Sequence, residues 1–256
     1  MMITMDSTFY YLLALGVFSV TLFLFYTKIW KMLIFTPVNK LIDLFYQRVT
    51  SDKTRCAVFM NHLQTFPWLS HLEANWEAIR DELLCFVEKG SGMCNVHTTG
   101  GDELNKESKW KLSMILAYGE PIEELKGSFP LTLSILEGLP EVQNAAFSLL
   151  KGGGSIPPHC GSTASILRYH LALIVPGEGK LCALTVNGVN IPWEEGKGIL
   201  FDDTFEHSAR NGAEKDRVVL IVDIFRPNLG LVDRWIQTLE VWKRTRDFHV
   251  GRAVKD

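Results

Sequence analysis

A mainly β domain with flanking helices, set behind one membrane-spanning helix, is what this sequence predicts, and three observations carry the prediction. Between Val142 and Phe225, β-rich runs alternate with turn signals, as in a sandwich or barrel. Upstream, Leu72, Trp76, Ile79, Leu83 and Phe86 recur at steps of four and three, the stripe of an amphipathic helix. At the start, Thr8–Tyr26 is an uncharged apolar run about as long as a bilayer's hydrocarbon core requires.

The elements follow in chain order. No Lys or Arg precedes the apolar run and no small-x-small cleavage site follows it, which favours an anchor over a signal peptide. Lys28, Lys31 and Lys40 follow the span while only Asp6 precedes it. The positive-inside rule therefore places the remainder in the cytoplasm, the endoplasmic reticulum lumen being the alternative. This divides the chain into an anchor (1–27), a juxtamembrane segment near the headgroups (28–56) and a folded domain (57–256). Gly90–Asn105 reads as a loop, Trp110–Tyr118 as a strand and Phe129–Leu136 as a short helix. Strands are expected at Ala145–Leu150, Ile166–Val175, Leu181–Val186, Gly198–Phe201 and Arg217–Phe225, with Gly152–Gly154 as a hairpin turn. Leu231, Trp235, Leu239 and Trp242 then mark a last helix, with Lys243, Arg244 and Arg246 near its end where they suit the helix dipole.

Composition sets the outer limits. A chain of 256 residues, 47% hydrophobic and 21% charged, matches one globular domain rather than a disordered or polytopic protein. A net charge of −3 gives no drive toward phosphates, so nucleic acid is excluded as a partner. Five scattered cysteines without a C-x-x-C suggest neither a disulfide framework nor a thiolate zinc site, and mildly favour a reducing compartment.

The chemistry is expected at histidines. His159 stands behind Ile156-Pro157-Pro158 at the mouth of a strand, and His207 closes the segment after the strand ending at Phe201. Arg217 opens the next strand. Two imidazoles followed by an Arg form a pattern used by non-haem iron oxygenases, in which neutral imidazole binds Fe(II) and an Arg fork pairs with a keto acid. Arg168 and His170 lie two apart on one strand and so share a face, where they would be costly to bury without an anionic partner. Asp202 and Asp203 are read either as a turn or as groups orienting a ligand or a bound water. His62, His71, His97 and His249 are read as ordinary, Cys160 as no nucleophile, and Trp193–Gly196 as a strand-end turn.

Three segments, IPPHCGSTASILRYHLALIVP, WEEGKGILFDDTFEH and RVVLIVDIFRPNL, resemble in order and spacing the signature segments of the aspartyl/asparaginyl β-hydroxylase family of Fe(II)- and 2-oxoglutarate-dependent oxygenases. The upstream helix LEANWEAIRDEL belongs to the resemblance, which runs from about Phe66 to Leu229. It implies a double-stranded β-helix, the jelly-roll or cupin-like form, with flanking helices. It also implies Fe(II) held by His159 and His207, with 2-oxoglutarate (held by Ser148, Arg168, His170 and Arg217) and O2 as cosubstrates. Gly161 stands where most relatives with this fold carry an aspartate ligand, and members with Gly there complete the metal shell with water.

The expected activity is a membrane-anchored hydroxylation of an unactivated C–H bond, by a dioxygenase with no catalytic residue beyond the metal centre. Peptide-hydroxylating relatives carry an Arg where this chain has Ile166, which weakens an aspartyl-peptide substrate. The anchor and the Leu167–Leu171 run look closer to bacterial relatives, including lipid A acyl-chain hydroxylases, although those often keep an aspartate where this chain has Gly161. The candidate substrates are thus a protein Asp or Asn residue or a lipid acyl chain. A non-catalytic β-sandwich adaptor that binds a small anion is the alternative from another class.

Overall fold

The computed structural model describes residues 55–89, 94–95, 109–139, 141–161, 164–177 and 181–227, with short pieces at 40–41, 44–45, 231, 234–236 and 238–239. The expected span Thr8–Tyr26 lies outside the described residues, among which no helix is long and apolar enough to cross a membrane. Helices come first: α1 (His62–Thr65), a 3-10 turn (Pro67–Leu69), α2 (Ser70–Ala74) and α3 (Trp76–Glu88). After β1 (Cys94–Asn95), β2 (Trp110–Ala117) and β3 (Glu120–Pro121) come α4 (Glu123–Lys126) and α5 (Pro130–Glu137). The remainder is β4 (Val142–Leu150), β5 (Ser155–His159), β6 (Ile166–Ile174), β7 (Cys182–Val186), β8 (Val189–Pro192), β9 (Gly198–Phe201), β10 (His207–Asn211) and β11 (Arg217–Phe225).

The strands form two antiparallel sheets, as a cupin-like jelly roll does. The larger runs β1-β2-β4-β11-β6-β9 with β3 beside β2, and the smaller runs β5-β10-β7-β8. Alternation explains how the large sheet serves two cores. From β11, Val218, Leu220, Val222 and Ile224 face the helices, joining Ile79, Leu83 and Phe86 of α3 and Leu133 and Leu136 of α5. Its other face turns Val219 and Ile221 toward Leu184, Val186 and Ala209 of the small sheet. The ring of Phe129 lies 4.8 Å from Phe86 and 4.9 Å from Phe147, bonding helix layer to sheet.

Three expectations need correction. The stripe Leu72–Phe86 is two helices, because Asn75 takes non-helical angles (φ −110, ψ 13) and its Nδ2 donates to the His71 carbonyl at 2.8 Å. Gly152–Gly154 does not close a hairpin: it carries the chain from β4 in the large sheet to β5 in the small one. There Gly153 has φ +66, and a Cβ on Gly152 would strike the Glu214 carbonyl. In the last helix, described only in part, the predicted stripe residues Leu231 and Trp235 are exposed, and Ile236 is the residue that packs, against Phe45 and Ala164.

Polar clamps fix the helices and the entering chain to the sheets. Glu73 of α2 accepts from Tyr169 Oη at 3.3 Å and Gly198 N at 3.1 Å, and His62 Nε2 meets it at 2.8 Å. His62, read as ordinary from sequence, is thus part of the scaffold. Asp202 accepts from Arg55 Nε at 3.1 Å and Arg226 Nη2 at 2.7 Å, so Arg55 is bonded into the domain. Burial works against the Asp202 charge, but Arg226, Thr204 and Arg55 outweigh it and hold this carboxyl below its usual range.

Candidate active site

His159 ends β5 and His207 begins β10, and the two residues are direct partners across that antiparallel pair. Opposed positions on neighbouring strands point to one face, so their rings meet, with centroids 4.2 Å apart. Each Nδ1 faces the carbonyl two residues back, Pro157 O at 2.9 Å and Phe205 O at 3.0 Å. A carbonyl only accepts, so Nδ1 carries the proton and Nε2 is left with its lone pair, the state a metal ligand needs. Burial lowers the pKa of both rings, that of His207 to about 4, so both are neutral at neutral pH.

The opposite wall comes from the large sheet. Ser148, Arg168, His170 and Arg217 all line the cavity that holds His159 and His207, so the topology brings together every site residue expected from sequence. His170 is buried with neither ring nitrogen bonded, and burial, with Arg168 and Arg217 nearby, depresses its pKa well below the usual value. Arg217 is 1% exposed. Its Nη1 reaches the Ser148 carbonyl only at 3.4 Å and its Nε has no partner. No carboxylate among the described residues pairs with it, and burial draws its pKa down to about 10. A buried cation with a bare Nε and no carboxylate, beside a buried imidazole with no partner, fits a bound dianion such as a keto dicarboxylate.

Arg168 differs from expectation in one respect: it already has partners. Its Nε and Nη2 donate to Asp223 at 2.8 and 3.2 Å, and Nη1 lies 3.2 Å from Asp203 Oδ2. Burial opposes its charge, yet Asp223 and Asp203 more than compensate and raise its pKa. Asp223 is the cross-strand neighbour of Arg168, a relation that needs the register and is not visible in sequence.

Gly161 and Asp203 form the other unforeseen pair. A Cβ on Gly161 would fall within the Asp203 carboxylate, and Gly161 N donates to the Asp203 carbonyl at 2.7 Å. The space an acidic side chain at 161 would need is thus filled by Asp203, and among the described residues no cluster of three or more His, Cys, Asp or Glu is suited to a metal. Burial pushes the Asp203 carboxyl up to about 6 against the pull of Arg168, and its Oδ1 has no partner. The segment around Asp202 and Asp203 is a turn, and of the two carboxylates Asp203 meets Arg168 of the cavity wall while Asp202 is bound by Arg55 and Arg226.

A family model described as aspartyl/asparaginyl beta-hydroxylase matches residues 73–227. The chain belongs to this hydroxylase family. It is 34% identical over 165 residues to an ornithine lipid ester-linked acyl 2-hydroxylase of Rhizobium tropici, covering 64% of this chain and 59% of that protein. It is 31% identical over 186 residues to the human aspartyl/asparaginyl beta-hydroxylase, covering 66% of this chain but 24% of that protein. Among solved structures, a Pseudomonas putida prolyl-4-hydroxylase matches 60% of this chain and 88% of its own at 17% identity and TM-score 0.41. The family match lies within the stretch the sequence motifs delimit and contains His159, His207 and the four residues opposite them.

Two aromatic residues escaped the sequence reading. Trp110 Nε1 donates to Ser148 Oγ at 3.0 Å, which leaves the serine hydroxyl hydrogen free to donate elsewhere. Trp193, read as part of a turn, lies under the Arg217 guanidinium. Neither carries a pattern signal, because one begins a strand and the other follows one.

Proposed function

We propose that the chain is an Fe(II)- and 2-oxoglutarate-dependent hydroxylase of an unactivated C–H bond. The observation that carries this reading is the buried, unpaired Arg217 and His170 facing two neutral histidines with Nε2 available. Nε2 of His159 and His207 would hold the iron. Arg217 would receive the distal carboxylate as a charge-assisted fork, Ser148 would donate its hydroxyl hydrogen to it, and Arg168 and His170 would hold the other end. When bound, iron and keto acid supply the oxidising power: O2 and 2-oxoglutarate give succinate and CO2, with one oxygen atom passed to substrate carbon as hydroxyl. Asp203 closes the side where Gly161 offers no ligand and steers Arg168 by its 3.2 Å ion pair. Purified chain given Fe(II), ascorbate, 2-oxoglutarate and O2 should release succinate, and His207→Ala should not. No release above the His207→Ala background would overturn the reading.

A groove favours the acyl-chain substrate. It measures about 230 Å3, shares Trp110, Arg168 and Ile221 with the site, and continues along Leu112, Met114, Ala145 and Ala146. Its polar groups serve one another, Asn144 Nδ2 donating to Asp223 at 3.2 Å and Asp223 accepting from Arg168. No free cation among these walls awaits an acidic side chain, whereas a hydrocarbon chain needs none. The apolar run Thr8–Tyr26 would hold the domain at the cytoplasmic membrane face, where such chains are presented. Lipid extracts of cells expressing the chain should contain an acyl species heavier by one oxygen atom that is absent with His207→Ala. Hydroxylation of an acidic peptide instead would reverse the substrate assignment.

A further inference from the structure

We propose that Trp193 is a positioning residue for Arg217, setting the plane of the guanidinium that the proposed keto-acid site uses. Hydrogen bonding does not hold that group: one 3.4 Å contact and a bare Nε leave its rotation undetermined. The indole does. The Arg217 guanidinium carbon stands 4.4 Å from the Trp193 ring centroid, and the contact is desolvated, with Trp193 2% and Arg217 1% exposed. The His170 imidazole lies 6.2 Å away at an interplanar angle of 22°, nearly parallel to the indole, while Phe201 meets it edge-on at 5.1 Å. One aromatic plane therefore aligns two of the four groups assigned to the cosubstrate.

The indole is itself well fixed. Trp193 N donates to the Cys182 carbonyl at 3.2 Å, tying the end of β8 to β7. The turn that follows is closed by Lys197 N to Glu194 O at 3.0 Å and fastened to β6 by Gly196 N to Ala172 O at 2.9 Å. Gly196 has φ +76, the left-handed conformation a side chain would resist. The Trp193 Nε1 hydrogen has no partner in the protein, so the ring is placed by its backbone and its faces rather than by a polar bond. What distinguishes an indole from another apolar filler here is its large electron-rich face against a buried cation.

The inference rests on the proposed function, and two measurements on the full chain separate them. The first is 2-oxoglutarate binding to the Mn(II)-loaded protein by calorimetry. Trp193→Leu should weaken it about 10- to 30-fold, Trp193→Phe should recover most of the loss, and Mn(II) affinity and unfolding temperature should mark both variants as folded. The second needs no cosubstrate: phenylglyoxal labelling of Arg217, followed by mass spectrometry, should be several-fold faster in Trp193→Leu than in wild type or Trp193→Phe. A wild type that binds no 2-oxoglutarate would refute the keto-acid site, and the labelling rates would still decide whether Trp193 holds Arg217. Unchanged labelling in a folded Trp193→Leu, or unchanged binding where wild type binds, would overturn the inference.

Discussion

The two faces of the large sheet differ in how they are completed. Its outer face meets the helices through Phe86, Phe129, Phe147, Leu171 and Leu220, which pack into one apolar cluster. Its inner face, only a strand's thickness away, buries Arg217 and His170 with donors unused. The first is stable by itself. The second is an arrangement that stability alone would not maintain, since a buried unpaired cation costs more than an apolar residue of like shape. The contrast separates residues that fold the molecule from those proposed to hold a ligand.

The largest effects should break the contrast at its two poles. His159→Ala or His207→Ala should abolish Fe(II) binding while the unfolding temperature changes little, because each ring stands at a strand end beside the cavity. Phe129→Ala should do the reverse, removing about 3–5 kcal/mol of stability with unchanged metal affinity per folded molecule. Chemical denaturation paired with metal titration checks both.

A third change sharpens the comparison. Arg217→Met keeps the stem and removes the stranded charge, so the ligand-free protein should gain stability, by about 1–4 kcal/mol, as it loses the cosubstrate. Equal or lower stability in denaturant would mean that the wild-type Arg has a partner within the chain. Gly161→Asp should impair the site, because the new side chain meets the Asp203 carboxylate, and adding Asp203→Gly should relieve the collision. Comparing Mn(II) affinity in the single and double variants tests whether the two positions share one space.

The smallest effect is with pH. Burial depresses the folded-state pKa values of His159, His170 and His207, that of His207 to about 4. Below about pH 6.5 the unfolded chain therefore takes up protons that the folded chain refuses, and stability falls with pH. Asp203, pushed up to about 6, acts oppositely, since the folded state then holds the proton in that window. Three groups against one should give the metal-free protein a lower unfolding temperature at pH 5 than at pH 7, and a flat profile above. His170→Phe should reduce the slope.

How far the sequence disclosed this follows the same division. Strands β4, β6, β9 and β11 and the apolar stripe of α3 were legible because burial forces apolar residues into period. Part of the cavity wall was legible too, since alternation puts Arg168 and His170 on one face and Arg217 with Val219 and Ile221 on another, whereas Ser148 came only from the motif resemblance. Strand β5 was missed because Pro157 and Pro158 speak against a strand, and it tolerates them as an edge of the small sheet. Strand β10, HSARN, was missed because its residues are polar. Asp203 against Gly161, Asp223 against Arg168 and Trp193 beneath Arg217 depend on register and turn geometry, which no local pattern encodes.

The inner face is therefore the place to test the account. Arg217 is proposed to lie buried without a carboxylate partner because a keto dicarboxylate supplies one. The dissociation constant of 2-oxoglutarate, measured on the Mn(II)-loaded wild type and on Arg217→Lys and Arg217→Ala, addresses it directly. Arg217→Ala should weaken binding about 30- to several-thousand-fold, from about 2–5 kcal/mol for one partner of a buried charged pair, with Lys in between and Mn(II) affinity unchanged. A change below about tenfold in the Ala variant, the range of an exposed ion pair, would contradict it.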